Sequence, residues 1–353
     1  EEGAILVGSL NPFDYDRNAY WTSMIFAYDQ ENIGITGKGV IDGRGYQVAN
    51  NVLTMIHKGI IEDNDHRYDR PNAGLRPQNI YFKGCKNIHI QGIILKDPAS
   101  WNQQYDQCKN LLVEGITVDS KSYWNNDGID VVDCDSVIVR DCYFDAADDG
   151  ICLKSHSPDF ICQNVNIYNN KVRTSANGIK FGTASQGGFK NIKIINNTVF
   201  DTYRSAITFA AVDGGICENI VVDSLRSLNT GNVIFLRIGE RREGKKGSMK
   251  NISISNVYAE VPLEKAVVKK AVVEVEQQKE SIINVISTKD KHQPKTIKSI
   301  PIKNQRIVIA KTEEKSDVIS TKMEKSPIKK SQRLKKEPNS TIKINANRNL
   351  AIK

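Results

Sequence analysis

The stretch NVNIYNNKV at residues 164–172, followed by NIKIINNTV at 191–199, decides the fold. Both open on Asn, alternate polar and apolar side chains, and pass through Asn again before a second short apolar run. The same unit reads NIGITG at 32–37, NIHIQGI at 87–93, NLLVEGITV at 110–118, NIVVDSL at 219–225 and NISISNV at 251–257, and SVIVRDCYF at 136–144 is a variant with Ser first. From Asn87 onward the openings lie 23, 26, 28, 27, 28 and 32 residues apart. Period-two alternation rich in Ile and Val predicts strands, and no amphipathic helix of useful length is expected between them. Short strands returning at this spacing predict an all-β fold, a right-handed single-stranded parallel β-helix. A propeller would need repeats of about 40 residues with four strands each.

The cysteines follow the same repeat. Cys85, Cys108, Cys134, Cys162 and Cys217 each stand two residues before the opening Asn or Ser, and Phe189 and Met249 hold that place in other coils. A position that accepts Cys, Phe or Met is an inward apolar one, where a free thiol acts as a small hydrophobe. No Cys-x-x-Cys is present, so neither disulfides nor a metal site is expected from them. The repeated Asn residues are expected to form a hydrogen-bonded ladder at a turn.

The chain changes character near Glu260. Of its 49 Lys+Arg and 41 Asp+Glu, 22 and 10 fall in residues 261–353, leaving 27 and 31 before them, so a net −4 is followed by a net +12. The last segment also lacks Phe, Tyr, Trp, Gly and Cys. Two parts are therefore expected: a β-helix domain over 1–260 and a basic, low-complexity tail over 261–353 that adds no coils and is disordered in stretches such as KSPIKKSQRLKKEP. Its charges are dispersed and unaccompanied by aromatics, so nucleic-acid binding is not expected. No run approaches 18 apolar residues, so no membrane span is expected. The chain begins at Glu1 without a visible signal peptide, and a mature or truncated form is expected.

A second strand precedes each Asn unit: NDGIDVV (126–132), DDGICLK (148–154), ANGIKFG (176–182), RSAITFA (204–210) and GNVIFLR (231–237). Aligned by the repeat, Ile129, Ile151, Ile179, Ile207 and Ile234 form one inward column, and Val131, Leu153, Phe181, Phe209 and Leu236 another. The alternate columns, including Asp130, Cys152, Lys180 and Thr208, then Val132, Lys154 and Arg237, are expected to face solvent. At the strand heads Asp127, Asp148 and Asp149 meet on adjacent coils, about 4.8 Å apart. Carboxylates so close repel, which raises at least one pKa. A raised carboxyl can donate a proton while its ionised neighbour activates water, the pairing that glycosidic hydrolysis requires. Asp-Gly is also a turn signal, but a turn needs one Asp, and Asp148-Asp149 places two together. Three carboxylates could also suit calcium. The hydrolase reading needs no metal and no cofactor.

Over roughly residues 5–260 the chain resembles glycoside hydrolase family 28, the polygalacturonase-like enzymes of the pectin-lyase-like solenoids. The motif Asn-x-Asp followed by Gly-apolar-Asp matches Asn125, Asp127, Gly128, Ile129 and Asp130, and the Asp-Asp motif of the next coil matches Asp148-Asp149. The resemblance implies inverting hydrolysis of a pectic polysaccharide, with Asp148 as general acid and Asp127 and Asp149 activating water. It also implies a secreted enzyme, extracellular or periplasmic, expected here as a monomer. Two motifs depart from the family. Ala176-Asn177-Gly178 stands where it has Gly-His-Gly, and Thr208-Phe209-Ala210 where it has Arg-Ile-Lys. Substrate-binding roles are accordingly expected for Asn125, Asn177 and the cations Lys154, Lys180 and Arg237, from shifted positions. Trp101, Asn102 and Tyr105 are further cleft candidates, His156 stands in a nearby loop, and Arg241 and Arg242 are expected in a solvated basic loop. The rivals are a β-helix lyase or epimerase acting on uronic acids and a non-catalytic glycan-binding β-helix.

Overall fold

The structure, a computed structural model, describes residues 1–16 and 21–260 together with three short strands at 283–286, 308–311 and 343–344. The chain winds through three parallel sheets, one strand of each per coil. The first sheet stacks Ser23–Tyr28, Gln78–Lys83, Gln103–Asp106, Ile129–Val132, Ile151–Ser155 and Asn177–Ser185. It continues through 205–211 and 232–238. The second sheet holds the Asn units, from Glu31–Thr36 and Lys86–Gln91 through Asp135–Arg140 to Phe189–Ile195 and beyond. The third is built of shorter strands such as Thr117–Ser120, Tyr143–Ala146 and Lys171–Thr174. This is the right-handed parallel β-helix that the repeats imply.

Register follows the sequence columns. Ile129 pairs with Ile151, Ile151 with Ile179, Ile179 with Ile207 and Ile207 with Ile234, and the Val131–Leu153–Phe181–Phe209–Leu236 column runs beside it. These side chains are buried, as are the five cysteines of the repeat with Phe189 and Met249. All seven cysteines are free. Burial pushes the thiols of Cys142 and Cys217 up to about 12, so they stay protonated and serve as packing atoms.

The opening Asn of each unit bends the chain. Asn87, Asn110, Asn164, Asn191, Asn219 and Asn251 have φ between 54° and 56°, and Ser136 has 63°. Asn tolerates this left-handed region better than most L-residues. Its amide then bonds to the coil before: Asn87 donates to Asn32 Oδ1 at 2.9 Å, Asn110 to Asn87 at 3.0 Å, Asn219 to Asn191 at 3.1 Å and Asn251 to Asn219 at 3.0 Å. Ser136 cannot continue the ladder, and Asn164 donates instead to Asp135 Oδ1 at 2.7 Å.

Coils also touch through glycine. A Cβ on Gly128 would lie 2.4 Å from the Gly150 carbonyl oxygen, and one on Gly150 would lie 2.7 Å from that of Gly178. The glycines after the carboxylates therefore let neighbouring coils approach, and they carry no positive φ. They are not turn residues.

Two expectations change. A helix, Gly45–His57, interrupts the early coils and buries Val48, Ala49 and Val52 on one face. The outward columns of the first sheet do not face solvent: Asp130, Cys152 and Val132 are 0% exposed and Lys154 is 8% exposed. Period two separates the core face from the other face, but here side chains and loops cover that second face. Short tail strands also pair with the coils, the one at 343–344 running antiparallel to Ser23–Tyr28. Ile283 pairs in parallel with Ile252, and Val308 with Phe235. The remaining tail residues, and with them the expectation of disorder, lie outside the described residues.

Phe181 tests the core. It is fully buried, stacks on Phe209 at 4.6 Å and meets Phe189 edge-on at 5.4 Å. Phe181→Ala should lower unfolding free energy by about 3–5 kcal/mol in equilibrium urea denaturation. A loss under about 1 kcal/mol would show that this column does not carry the core.

Candidate active site

The heads of two adjacent strands of the first sheet bring the acidic residues together. The backbone N–H of Gly128 bonds to Asp149 O at 2.9 Å, and that of Asp148 to Asn126 O at 3.2 Å, so Asp127 lies beside Asp149 and Asn126 beside Asp148. Asp127 and Asp149 are buried; Asp148 is half-buried. The expected clustering of the three is present.

The lysines sort them. Lys154 Nζ donates to Asp127 Oδ2 at 3.0 Å and makes a closer bond to Asp130 Oδ1. Lys180 Nζ donates to Asp149 Oδ2 at 2.6 Å. Asn177 donates to the other oxygen of Asp149 from its side chain at 2.6 Å, and Thr208 Oγ1 donates to Asn177 Oδ1 at 2.8 Å. That last bond fixes which end of the amide faces Asp149. Among the described residues Asp148 has no side-chain hydrogen bond. The polar atoms of Lys154, Lys180 and Asn177 turn toward the carboxylates.

Burial raises Asp127 well above the usual carboxylate range; Lys154 opposes it, and the charges of Asp130, Asp148 and Asp149 add to it. Asp130 is raised for the same first reason against the same lysine. Burial also raises Asp148, reinforced by the charge of Asp149 and opposed by Lys180, Lys154 and Arg204. For Lys154 burial acts downward, but Asp127 and Asp130 outweigh it and the ammonium is stabilised. The carboxylates and lysines thus form one coupled set.

Asn125 is tied to the protein's interior. Its Oδ1 accepts from Arg76 at 2.8 Å. The Arg76 guanidinium is buried and also donates to the carbonyls of Pro71, Ala99 and Trp124 at 2.9, 2.6 and 2.7 Å. Burial pulls it down to about 10, still charged at neutral pH. Asn126 is buried as well and donates to Pro98 O and Ser100 O. Arg76 and Asn126 were missed as site residues; together they pin the loop that presents Asp127.

Of the other candidates, Arg237 is exposed and stands opposite Ala210 in the register. Trp101 lies against Trp21 at 4.8 Å, with Lys154 Nζ 4.4 Å from its ring centroid. Asn102 bonds to Asn79, and Tyr105 is a core residue that is fully buried. Burial and then the Lys154 charge hold His156 below its usual pKa. Arg241 is not simply solvated: it grips Asp213 at 2.8 and 2.5 Å. An exposed cation was overlooked: Arg204, whose backbone N–H bonds to Ala176 O one coil beyond the Asp148 coil. Its position at the head of a strand was the available signal. Asp127, Asp130 and Cys152 have ligand atoms within 4.8 Å of one another. The set does not fit a metal, because Lys154 already occupies both carboxylates and burial keeps the thiol protonated.

Two outcomes follow from this geometry. Arg76→Ala should cost about 3 kcal/mol by leaving buried acceptors unpaired, and limited proteolysis should cut near residues 71–76 and 122–126; unchanged cleavage would remove the loop-pinning role. Asp133, raised by burial to about 6, is protonated in the folded state over a range where the unfolded chain, at about 3.9, is ionised. Its stabilising effect is therefore full below about pH 4 and lost as pH rises through about 6. Asp133→Asn should flatten that part of the Tm-versus-pH curve, and an unaltered slope would place the proton elsewhere.

The sequence model of glycosyl hydrolases family 28 matches residues 2–206. Among solved structures, the family 28 exopolygalacturonase of Yersinia enterocolitica superposes with a TM-score of 0.59 at 20% identity, covering 73% of this chain and 55% of that one. The chain thus spans about half the length of that enzyme. The polygalacturonase of Erwinia carotovora ssp. carotovora gives 0.50 at 16% identity, over 76% of this chain and 82% of its own. No curated protein matches. At these identities the structural likeness speaks for the β-helix alone, while the family match extends over more than half of the 353 residues. The chain belongs to glycosyl hydrolases family 28.

Proposed function

We propose that the protein is an inverting glycoside hydrolase that cleaves an acidic pectic polysaccharide of galacturonan or rhamnogalacturonan type. Asp148 is the general acid. Asp127 and Asp149 receive the proton of the water that attacks the anomeric carbon from the opposite face. The observation that carries this reading is the unequal sharing of the lysines. Asp127 and Asp149 each hold an ammonium within hydrogen-bond distance, whereas among the described residues Asp148 holds none and is half-buried. A carboxyl left without a cation beside carboxylates paired with cations is the division of labour that acid–base hydrolysis needs. Asp127 Oδ1 is buried without a protein partner among the described residues, which suits it to accept a hydrogen bond from water.

Family membership supports a polysaccharide substrate. We assign the exposed Arg204 and Arg237 to its carboxylates, while Lys154 and Lys180 bond to Asp127, Asp130 and Asp149. Among the described residues no helix is long and apolar enough to cross a membrane. The proposed place of action is outside the cytoplasm, extracellular or periplasmic, where such polymers occur, with the protein as a monomer.

The test is incubation of pectic fractions with the parent and Asp148→Asn, followed by product NMR. Inverted anomers should form first, and Asp148→Asn should slow turnover roughly a thousandfold. An unsaturated product absorbing in the ultraviolet would replace the hydrolase with a lyase; binding without turnover would make the protein a glycan-binding β-helix. On the cleaved fraction, Arg204→Ala and Arg237→Ala should raise KM roughly tenfold, and Lys180→Gln should lower kcat instead. An unchanged KM in both arginine variants would discard their role.

A further inference from the structure

We propose that Lys154 is a positioning residue that favours the carboxylate form of Asp127 against its burial, held in place by Trp101 and divided between Asp127 and Asp130. The inference rests on the hydrolase reading, in which Asp127 must accept a proton from water.

The geometry is specific. Lys154 stands opposite Val132 in the register, one coil after Asp127, and its side chain reaches back across the coil boundary. Its ammonium contacts Asp127 Oδ2 and Asp130 Oδ1 and lies 4.4 Å from the Trp101 ring centroid. The lysine side chain is 10% exposed, against 4% and 0% for the two carboxylates. An ammonium over an indole face is held electrostatically, and Trp21 supports the ring from beside it. One oxygen of each carboxylate, Asp127 Oδ1 and Asp130 Oδ2, has no protein partner among the described residues.

Two buried carboxylates thus share one cation. Without that cation a carboxylate so thoroughly desolvated takes up a proton, and a protonated Asp127 cannot accept another from water. The groups facing Asp127 are Lys154, Asp130, Asp148 and Asp149. Asp130 faces Lys154, Asp127 and Asp149, with Gln104 opposite it on the preceding coil. Lys154 also feels Cys152, and Lys180 is committed to Asp149. Lys154 is therefore the cation for Asp127, and Asp130 is its competitor. Removing one or the other must move Asp127 in opposite directions, an outcome that a purely structural lysine would not produce.

The experiment follows the carboxyl carbons of 13C-Asp-labelled protein by NMR through a pH titration, with Asp127→Asn assigning the signal. Lys154→Gln should raise the Asp127 midpoint by at least about one pH unit. Asp130→Asn should lower it, and Trp101→Leu should raise it less than Lys154→Gln does. The acid limb of kcat/KM on the best cleaved pectic fraction should move the same way in each variant. No movement, or movement of Lys154→Gln and Asp130→Asn in one direction, would overturn the proposal. Should Lys154→Gln fail to fold by circular dichroism, Asp130→Asn decides alone, and an unmoved or raised midpoint refutes it. The titration needs no substrate, so absence of turnover would count against the hydrolase reading and leave this result standing.

Discussion

Stacking in register is the constraint on which everything else depends. Each coil must close with its corners above those of the coil below, or the inward columns lose their partners. The left-handed Asn at the start of the second sheet enforces this: it bends the chain and its amide is spent on the neighbouring coil. A slip of one residue would turn Ile and Val outward and bring polar residues in. The glycines behind the carboxylates set the spacing at the site, because a Cβ there would strike the next coil's carbonyl. The catalytic geometry is thus a property of the stack before it is a property of the acidic residues.

On that frame the site solves a problem of charge. Asp127, Asp130 and Asp149 are all buried, and burial of an uncompensated carboxylate is costly. Two lysines projecting from the same sheet compensate them, and Asn177 supplies a further neutral donor. Asp148 is left nearer solvent without a cation of its own. Asn177 and Thr208, which stand where the family has its histidine and arginine, are therefore drawn into internal bonding.

The fold was legible because both of its periods are written in the residues: two within a strand and roughly 27 between coils, so the columns of the first sheet could be named in advance. The helix Gly45–His57 was not, although Asn32 and Asn87 are 55 residues apart where neighbouring units stand about half as far. That gap was the signal of an insertion. The grouping of Asp127, Asp148 and Asp149 was legible for the same reason as the columns. What alternation could not supply was the fate of the face away from the core. It says that Lys154 and Lys180 point outward, but not that a carboxylate one coil earlier will claim each ammonium. Arg76 lies outside the repeat, and nothing local marks its reach to Trp124 and Asn125.

Because each coil touches mainly the coils before and after it, cooperativity in this molecule is short-ranged. The carboxylates, lysines and Asn177 all come from three consecutive coils of the first sheet. Opening at either end of the solenoid therefore reaches the site only by unzipping every intervening coil. The chemistry sits in the protected middle of a one-dimensional array, where hydrogen exchange is slowest and where whole coils can be added or lost at the ends without redrawing the centre.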